Sequence, residues 1–215
     1  MKTLFHLGAM LLILATVSCK DDDGGGAPAE PENSFSFDGK TYQMNYGFIE
    51  DWGPANVSME GEEDTHYNYD FYLTDATVTP SGAQGLTYLL YSELYSSGSG
   101  NFQTGTFKWV DHENLTEDDV NNANFFVALL AEDGNGDGDL GDSQDRFHEP
   151  TGGTITVSGT DLSAYTITYD LRFSDNRRLQ GSYTGEFDYF DERDGERAPT
   201  NDWRKLEKKH PLIFK

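Results

Sequence analysis

Apolar and polar residues alternate with a period of two along most of this chain, the spacing of strands that bury one face. Ser34-Phe35-Ser36-Phe37, then Asp38-Gly39, then Lys40-Thr41-Tyr42 predicts a strand, a tight turn and a return strand, because Asp-Gly favours the two-residue hairpin. In HYNYDFYLT (66–74), Tyr67, Tyr69, Phe71 and Leu73 alternate with His66, Asn68, Asp70 and Tyr72. This predicts a half-buried antiparallel strand with His66 facing solvent. LTYLLYSELY (86–95) is more apolar and predicts a central strand with Leu86, Tyr88, Leu90, Ser92 and Leu94 on one face. Further strands are expected over 102–110, 124–131, 152–159, 164–173 and 179–190. Only two stretches invite a helix. One begins at Thr116, an N-cap residue followed by Glu117-Asp118-Asp119, and the other runs from Trp203 to Lys209.

Many short strands between Gly, Asn and Asp turns define an all-β chain. The expected architecture is a single antiparallel β-sandwich, with a closed or partly open β-barrel as the alternative. No internal repeat and no second domain is visible. The chain divides into a leader (1–18), an acidic tether (19–32), the β domain (33–191) and a basic C-terminal extension (192–215).

The leader changes the picture of where this domain lives. Lys2 precedes an apolar run from Leu7 to Val17. That run is shorter than the ~20 residues a spanning helix needs, as in a secretory signal. Thr16-Val17-Ser18-Cys19 is similar to a lipobox, the site at which a bacterial lipoprotein is cleaved and lipidated on cysteine. Cys19 is the single cysteine of the chain, so no intramolecular disulfide exists and the fold relies on its core. The following KDDDGGGAPAEPENS lacks the apolar area to fold and reads as a tether to the membrane. Its Lys20-Asp21-Asp22-Asp23 resembles the export signal that sends lipoproteins to the outer face of the outer membrane.

Charge narrows the partners. The net charge of −23 repels phosphate backbones and excludes nucleic acid as a natural ligand. The stretch WRKLEKKHPLIFK (203–215) is basic on an otherwise acidic chain. It is expected to lie on the acidic domain as a short helix or strand, or else to dock an acidic partner.

Three segments carry a resemblance: SFSFDGKTYQM, DGNGDGDLGDSQD, and GGTITVSGTDLSAYTITYDLRF with LQGSYTGEFDYF. In this order, behind a lipobox, they resemble small Bacteroidetes-type outer-membrane lipoproteins of all-β fold and unassigned function. The likeness spans roughly residues 33–191. It implies a lipid-anchored, surface-exposed envelope protein with a binding or scaffolding role, and it brings no catalytic residue with it.

The middle segment carries chemistry of its own. With Asp133 at position 1 of a calcium loop, Asn135, Asp137 and Gly138 fall at positions 3, 5 and 6, the start of an EF-hand loop. Asp139 then offers its carbonyl at position 7. Leu140 is the usual apolar position 8. Position 12 is Gln144 rather than a bidentate Glu, so Asp142 or Asp145 is expected to complete the site. A structural Ca2+ is the expectation, not a catalytic one, since no nucleophile lies near these residues.

No other chemistry is legible. His66, His112, His148 and His210 lack zinc-ligand spacing, and no serine-nucleophile or phosphate-loop motif occurs. Adjacent acids such as Glu50-Asp51 and Glu62-Glu63 are ordinary in so acidic a chain. Trp52, in the turn-like stretch EDWGPAN, is the candidate for stacking on a sugar ring, with Tyr46, Tyr91, Tyr95 and Trp109 as further aromatics. Trp109, in an alternating strand, is expected in the core. The expected function is non-enzymatic, binding or structural, with envelope proteins and glycans as candidate partners. The alternatives are a carbohydrate-binding accessory lipoprotein and a hydrolase whose acids sequence does not locate.

Overall fold

The computed structural model describes residues 32–57, 63–79, 82–83 and 85–194. The signal segment, Cys19 and the Trp203–Lys209 helix expected from sequence lie outside the described residues. Within them the chain is all-β.

The first hairpin is formed by β1 (Ser34–Phe37) and β2 (Lys40–Gln43), and Asp38 and Gly39 both adopt positive φ, 51° and 73°, as the two-residue turn requires. Next come β3 (Tyr46–Ala55), β4 (His66–Thr74), the small β5–β6 pair (Val78–Thr79, Gly82–Ala83) and β7 (Tyr88–Ser97). Then β8 (Gly105–Trp109), helix α1 (Glu117–Asn121), β9 (Asn124–Phe125), β10 (Ala128–Glu132) and β11 (Arg146–His148) lead to β12 (Gly152–Ser158), β13 (Tyr165–Arg172), β14 (Arg178–Gly185) and β15 (Asp188–Asp191). The helix starts where sequence places it: the Thr116 hydroxyl and the Asp119 carboxylate cap each other's backbone N–H groups.

All strands except β5 and β6 belong to one 13-stranded sheet, ordered β15-β3-β4-β7-β9-β8-β12-β13-β14-β1-β2, with β10 branching from β7 and β11 from β10. The sheet curls into a half-barrel. This matches the partly open barrel rather than two separate sheets. It is also mixed rather than purely antiparallel, since β15 runs parallel to β3 and β8 parallel to β9. The reason lies in β9. Asn124 pairs with Tyr95 of β7 on one side and Lys108 of β8 on the other, so a two-residue strand fuses what would otherwise be two facing sheets.

The inner face of the curl holds the main core. Phe35, Phe37, Tyr42, Ile155, Ile167, Tyr169 and Leu179 from one half meet Phe71, Leu73, Leu90 and Leu94 from the other. Ser92 and Tyr169 hydroxyls join across it at 2.9 Å. Trp109, half-buried, packs against this core as expected.

A second core sits on the outer face of β3, β4, β7 and β10. Phe48, Tyr72, Leu89, Tyr91, Leu129 and Ala131 are covered there by Leu86 and Leu140. This layer overturns the reading of β4 as half-buried. Its wettable-looking residues are buried too: His66 is 1% exposed, and Asn68, Asp70 and Tyr72 are 0%. Alternation reports two chemically different faces; it cannot report that both are covered. The EDWGPAN stretch is likewise part of β3 rather than a turn, with a bulge between Asp51 and Gly53 that shifts the register at Trp52.

Candidate functional site

The acidic loop, residues 133–145, joins the antiparallel pair β10 and β11. It is tied at two points: the Asp133 N–H donates to the Thr87 carbonyl at 2.9 Å, and Leu140 in its middle is fully buried in the outer core. Between these anchors the loop is a succession of Asx turns. Asp133 Oδ1 accepts from the N–H of Asn135 (3.0 Å) and Gly136 (2.6 Å), and its Oδ2 from Gly138 (2.8 Å). Asn135 Oδ1 accepts from Asp137 N (2.9 Å), and Asp137 Oδ1 from Asp139 N (3.0 Å). Gly138 sits at φ 80°, where a side chain would be strained, with the Gly85 backbone close by.

The loop brings together most of the residues expected to form the site. Asn135 Nδ2 lies 3.0 Å from Asp137 Oδ2 and 2.7 Å from Asp142 Oδ2, so these three side chains share one small volume. Asp133 faces the same turn. Burial disfavours its charge, but the N–H groups of Gly138, Gly136 and Asn135 outweigh that and hold its carboxyl below the usual range. Asp145 has a different task. Its Oδ1 accepts from Gly134 N (3.0 Å) and its Oδ2 from Gly141 N (2.7 Å) and Asp142 N (2.9 Å), which clamps the loop's entrance to its exit. Between the two acids offered for the missing position 12, Asp142 is the one at the cluster. Gln144 donates its N–H to Asp142 Oδ1 and so orients it. The donor set is hard oxygen throughout, from carboxylates and one amide, which fits calcium chemistry. Among the described residues no ready-made group of three or more His, Cys, Asp or Glu ligands is assembled. A cation at this loop therefore requires Asn135 to turn its amide nitrogen out from between Asp137 and Asp142.

Two further clusters escaped sequence reading. The first centres on Glu132, the last residue of β10. Its carboxylate accepts from Lys40 Nζ (2.9 Å), Tyr42 Oη (3.0 Å) and His148 Nε2 (3.0 Å), with Arg146 Nε at 3.4 Å. Burial raises its pKa, but these donors, Lys40 foremost, outweigh it and bring the group down to about 2. The second is a row of carboxylates across the outer face: Glu50, Asp70 and Glu93 stand directly opposite one another on β3, β4 and β7. Tyr72 donates to Glu50 (3.2 Å), Tyr91 to Asp70 (3.0 Å) and Glu93 (2.7 Å), and Tyr95 to Glu93 (3.1 Å). Burial first, then these neighbouring carboxylates, push the Tyr72 and Tyr91 hydroxyls well above the ordinary tyrosine pKa. Each acid occupies a polar position of its own strand, but their alignment depends on cross-strand register, which the sequence does not display.

The aromatic candidates are placed as follows. Trp52 is half-buried at the β3 bulge. Tyr91 and Tyr95 are buried, and Tyr46 is half-buried with its hydroxyl on Asp188, so these tyrosines form no open platform for a sugar ring. Glu50 and Asp51 point to opposite faces of β3, with Asp51 bound by the Tyr67 and Tyr189 hydroxyls, and make no catalytic pair. His66 Nε2–H donates to the Asn122 carbonyl (3.0 Å), Nδ1 lies 2.8 Å from the Thr65 hydroxyl, and burial lowers the ring's pKa, which favours the neutral form. Among the described residues no helix is long and apolar enough to cross a membrane. No protein-family model, curated protein or solved structure matches the chain. The functional reading accordingly rests on its own residues.

Proposed function

We propose that this protein is a non-enzymatic, lipid-anchored component of the outer membrane, with a binding or structural role at the cell surface. A calcium-stabilised loop at residues 133–145 steadies its β domain. The observation that carries the calcium reading is the loop itself: consecutive Asx turns on Asp133, Asn135 and Asp137, with Asp142 against the same amide, gather oxygen ligands on a hairpin anchored by Leu140. Asp133, Asn135 and Asp137 would supply side-chain oxygens, Asp139 its carbonyl, and Asp142 the carboxylate that Gln144 cannot. Asp145 would hold the loop closed. When bound, the ion would neutralise the crowded carboxylates and order the loop without taking part in a reaction. The lipid anchor rests on Cys19 and the lipobox-like residues before it.

The test is thermal unfolding of the full mature chain in EDTA, in millimolar calcium and in millimolar magnesium. At a Kd near 10⁻⁴ M, typical of extracellular calcium modules, millimolar calcium contributes about 1.4 kcal/mol. A calcium-selective rise in Tm of several degrees, absent in Asp133→Ala/Asp137→Ala, is the expected result. Identical melts in all three conditions would remove the metal from this reading.

A further inference from the structure

Where β4 and β13 begin, the inner face ends in a group of tyrosines around one carboxylate. Tyr67 and Tyr69 come from β4, Tyr165 from the first position of β13 and Tyr189 from β15. Asp51, opposite Tyr69 across the β3–β4 pair, sits among them and is 2% exposed. Its Oδ2 accepts from Tyr189 Oη (2.6 Å) and Tyr67 Oη (3.1 Å), its Oδ1 from Gly53 N (2.8 Å), and Arg193 Nε lies 3.9 Å away. The carboxylate is thus engaged and its charge matched, and what it does is fix the tyrosines. Tyr69 stacks flat on Phe102, centroids 4.3 Å and planes 6° apart. The Phe71 ring links the group, 6.3 Å from Tyr69 and 6.5 Å from Tyr165. The chain before β13 is drawn in by the bond from Phe187 N to the Leu162 carbonyl (3.1 Å), which packs half-buried Leu162 against the same core.

Two features distinguish this end from ordinary core. Tyr189 is 39% exposed although its hydroxyl is bonded to Asp51, so a large aromatic ring meets solvent in a fixed orientation. It stands 6.4 Å from the ring of half-buried Tyr69, the planes inclined at 68°. The second feature is a surplus of hydroxyls. Among the described residues those of Tyr69 and Tyr165 have no hydrogen-bond partner, and neither is cut off from solvent. Burial first, then Asp51 and the neighbouring tyrosines, push the Tyr69 hydroxyl above the ordinary tyrosine pKa, so it stays a neutral donor. Fixed rings beside free hydroxyls match a saccharide, which offers an apolar C–H face for stacking and hydroxyls at its edge. A cation would find the one carboxylate already matched by Arg193, and an anion would be repelled by the net charge of −23. A wholly apolar ligand would cover the free hydroxyls without bonding them.

We infer that this end of the inner face binds a neutral saccharide, with one sugar ring on Tyr189 beside Tyr69 and its hydroxyls bonding those of Tyr69 and Tyr165. Asp51 is a positioning residue, acting through Tyr67 and Tyr189. The inference rests on the binding role proposed above and names its ligand class, but it does not depend on the calcium loop.

The test applies the full mature chain to an array of neutral and anionic glycans, in millimolar calcium and in EDTA, and then titrates the best neutral oligosaccharide by calorimetry. Neutral glycans should bind equally in both buffers. Tyr189→Ala should weaken the affinity about tenfold or more, and Tyr69→Phe/Tyr165→Phe, which keeps both rings, about tenfold. Phe190→Ala is the control. Phe190 is 42% exposed at the next position of β15 but packs on Phe48 of the outer layer, so its removal should change affinity less than about twofold. An array silent in both buffers, a preference for anionic glycans, unchanged affinity in either tyrosine variant, or an equal loss in Phe190→Ala would overturn the inference. Binding that vanishes in EDTA would do the same, because it would move the sugar to the acidic loop. Should Tyr189→Ala fail to fold, Tyr69→Phe/Tyr165→Phe decides alone. A silent array would strike the saccharide and leave the calcium melt to stand or fall by itself, so the two failures are told apart.

Discussion

Glu132→Gln isolates the electrostatics of the inner rim. Glutamine keeps the shape of the side chain and one acceptor oxygen but removes the charge that Lys40, Tyr42 and His148 converge on. The carboxyl falls from an ordinary 4.5 to about 2 in the folded chain, and its side chain is only 10% exposed. A depression of this size corresponds to about 3 kcal/mol. Lys40 is 56% exposed and screened by solvent, which trims the expected value to about 2–3 kcal/mol. Because the folded pKa is the lower one, this stabilisation is fully present above pH 4.5. It is lost as pH falls toward 2, where the folded form also takes up the proton. Urea unfolding of wild type and Glu132→Gln, in EDTA to keep metal off the neighbouring loop, should show a gap of 2–3 kcal/mol at pH 7 that closes between pH 4.5 and 2. A gap that stays constant with pH would show that the substitution acts through packing, and a gap below about 0.5 kcal/mol at pH 7 would show that the converging donors add nothing net.

Two other measurements probe the outer layer. His66 is buried as a neutral ring, and burial lowers its pKa more than its hydrogen bond to the Asn122 carbonyl raises it. The unfolded chain therefore binds a proton that the folded one refuses: stability is held above pH 6.5 and declines below it, and His66→Gln should flatten this part of the pH profile relative to wild type. Leu140→Ala empties a fully buried position in the outer core and should cost about 2–5 kcal/mol in urea unfolding, whereas a cost under 1 kcal/mol would mean that the acidic loop is not anchored there.

How much of this was legible in the sequence depends on the range of each interaction. Local signals were faithful. The Asp38-Gly39 turn, the Thr116 cap and the strands β12 and β13 are set within a few residues, and each lies where the pattern places it, whereas the stretch expected as one strand over 179–190 divides into β14 and β15. Non-local facts were hidden. Whether β4 has one covered face or two depends on Leu86 and Leu140 folding over it, and whether two sheets stay separate depends on a two-residue strand at Asn124. The Glu132 cluster draws on β2, β10 and β11, and the carboxylate row on three strands aligned by register. No window of sequence contains any of these.

The two acidic features of the molecule also differ for a physical reason that bears on function. In the loop, backbone N–H groups are released from any ladder, so Asp133, Asp137, Asp142 and Asp145 are steadied by peptide donors and remain partly solvated. In the row, every strand N–H between neighbours is committed to the sheet. Glu50, Asp70 and Glu93 therefore draw on side chains, three tyrosine hydroxyls among them. A cation held at the proposed loop site would therefore exchange with solvent, whereas the row is closed to it. The two sites should therefore separate under salt. If the loop binds calcium as proposed, moderate ionic strength should weaken that binding at the partly exposed loop and leave the tyrosine–carboxylate contacts of the buried row intact, because screening acts on charges that water can reach.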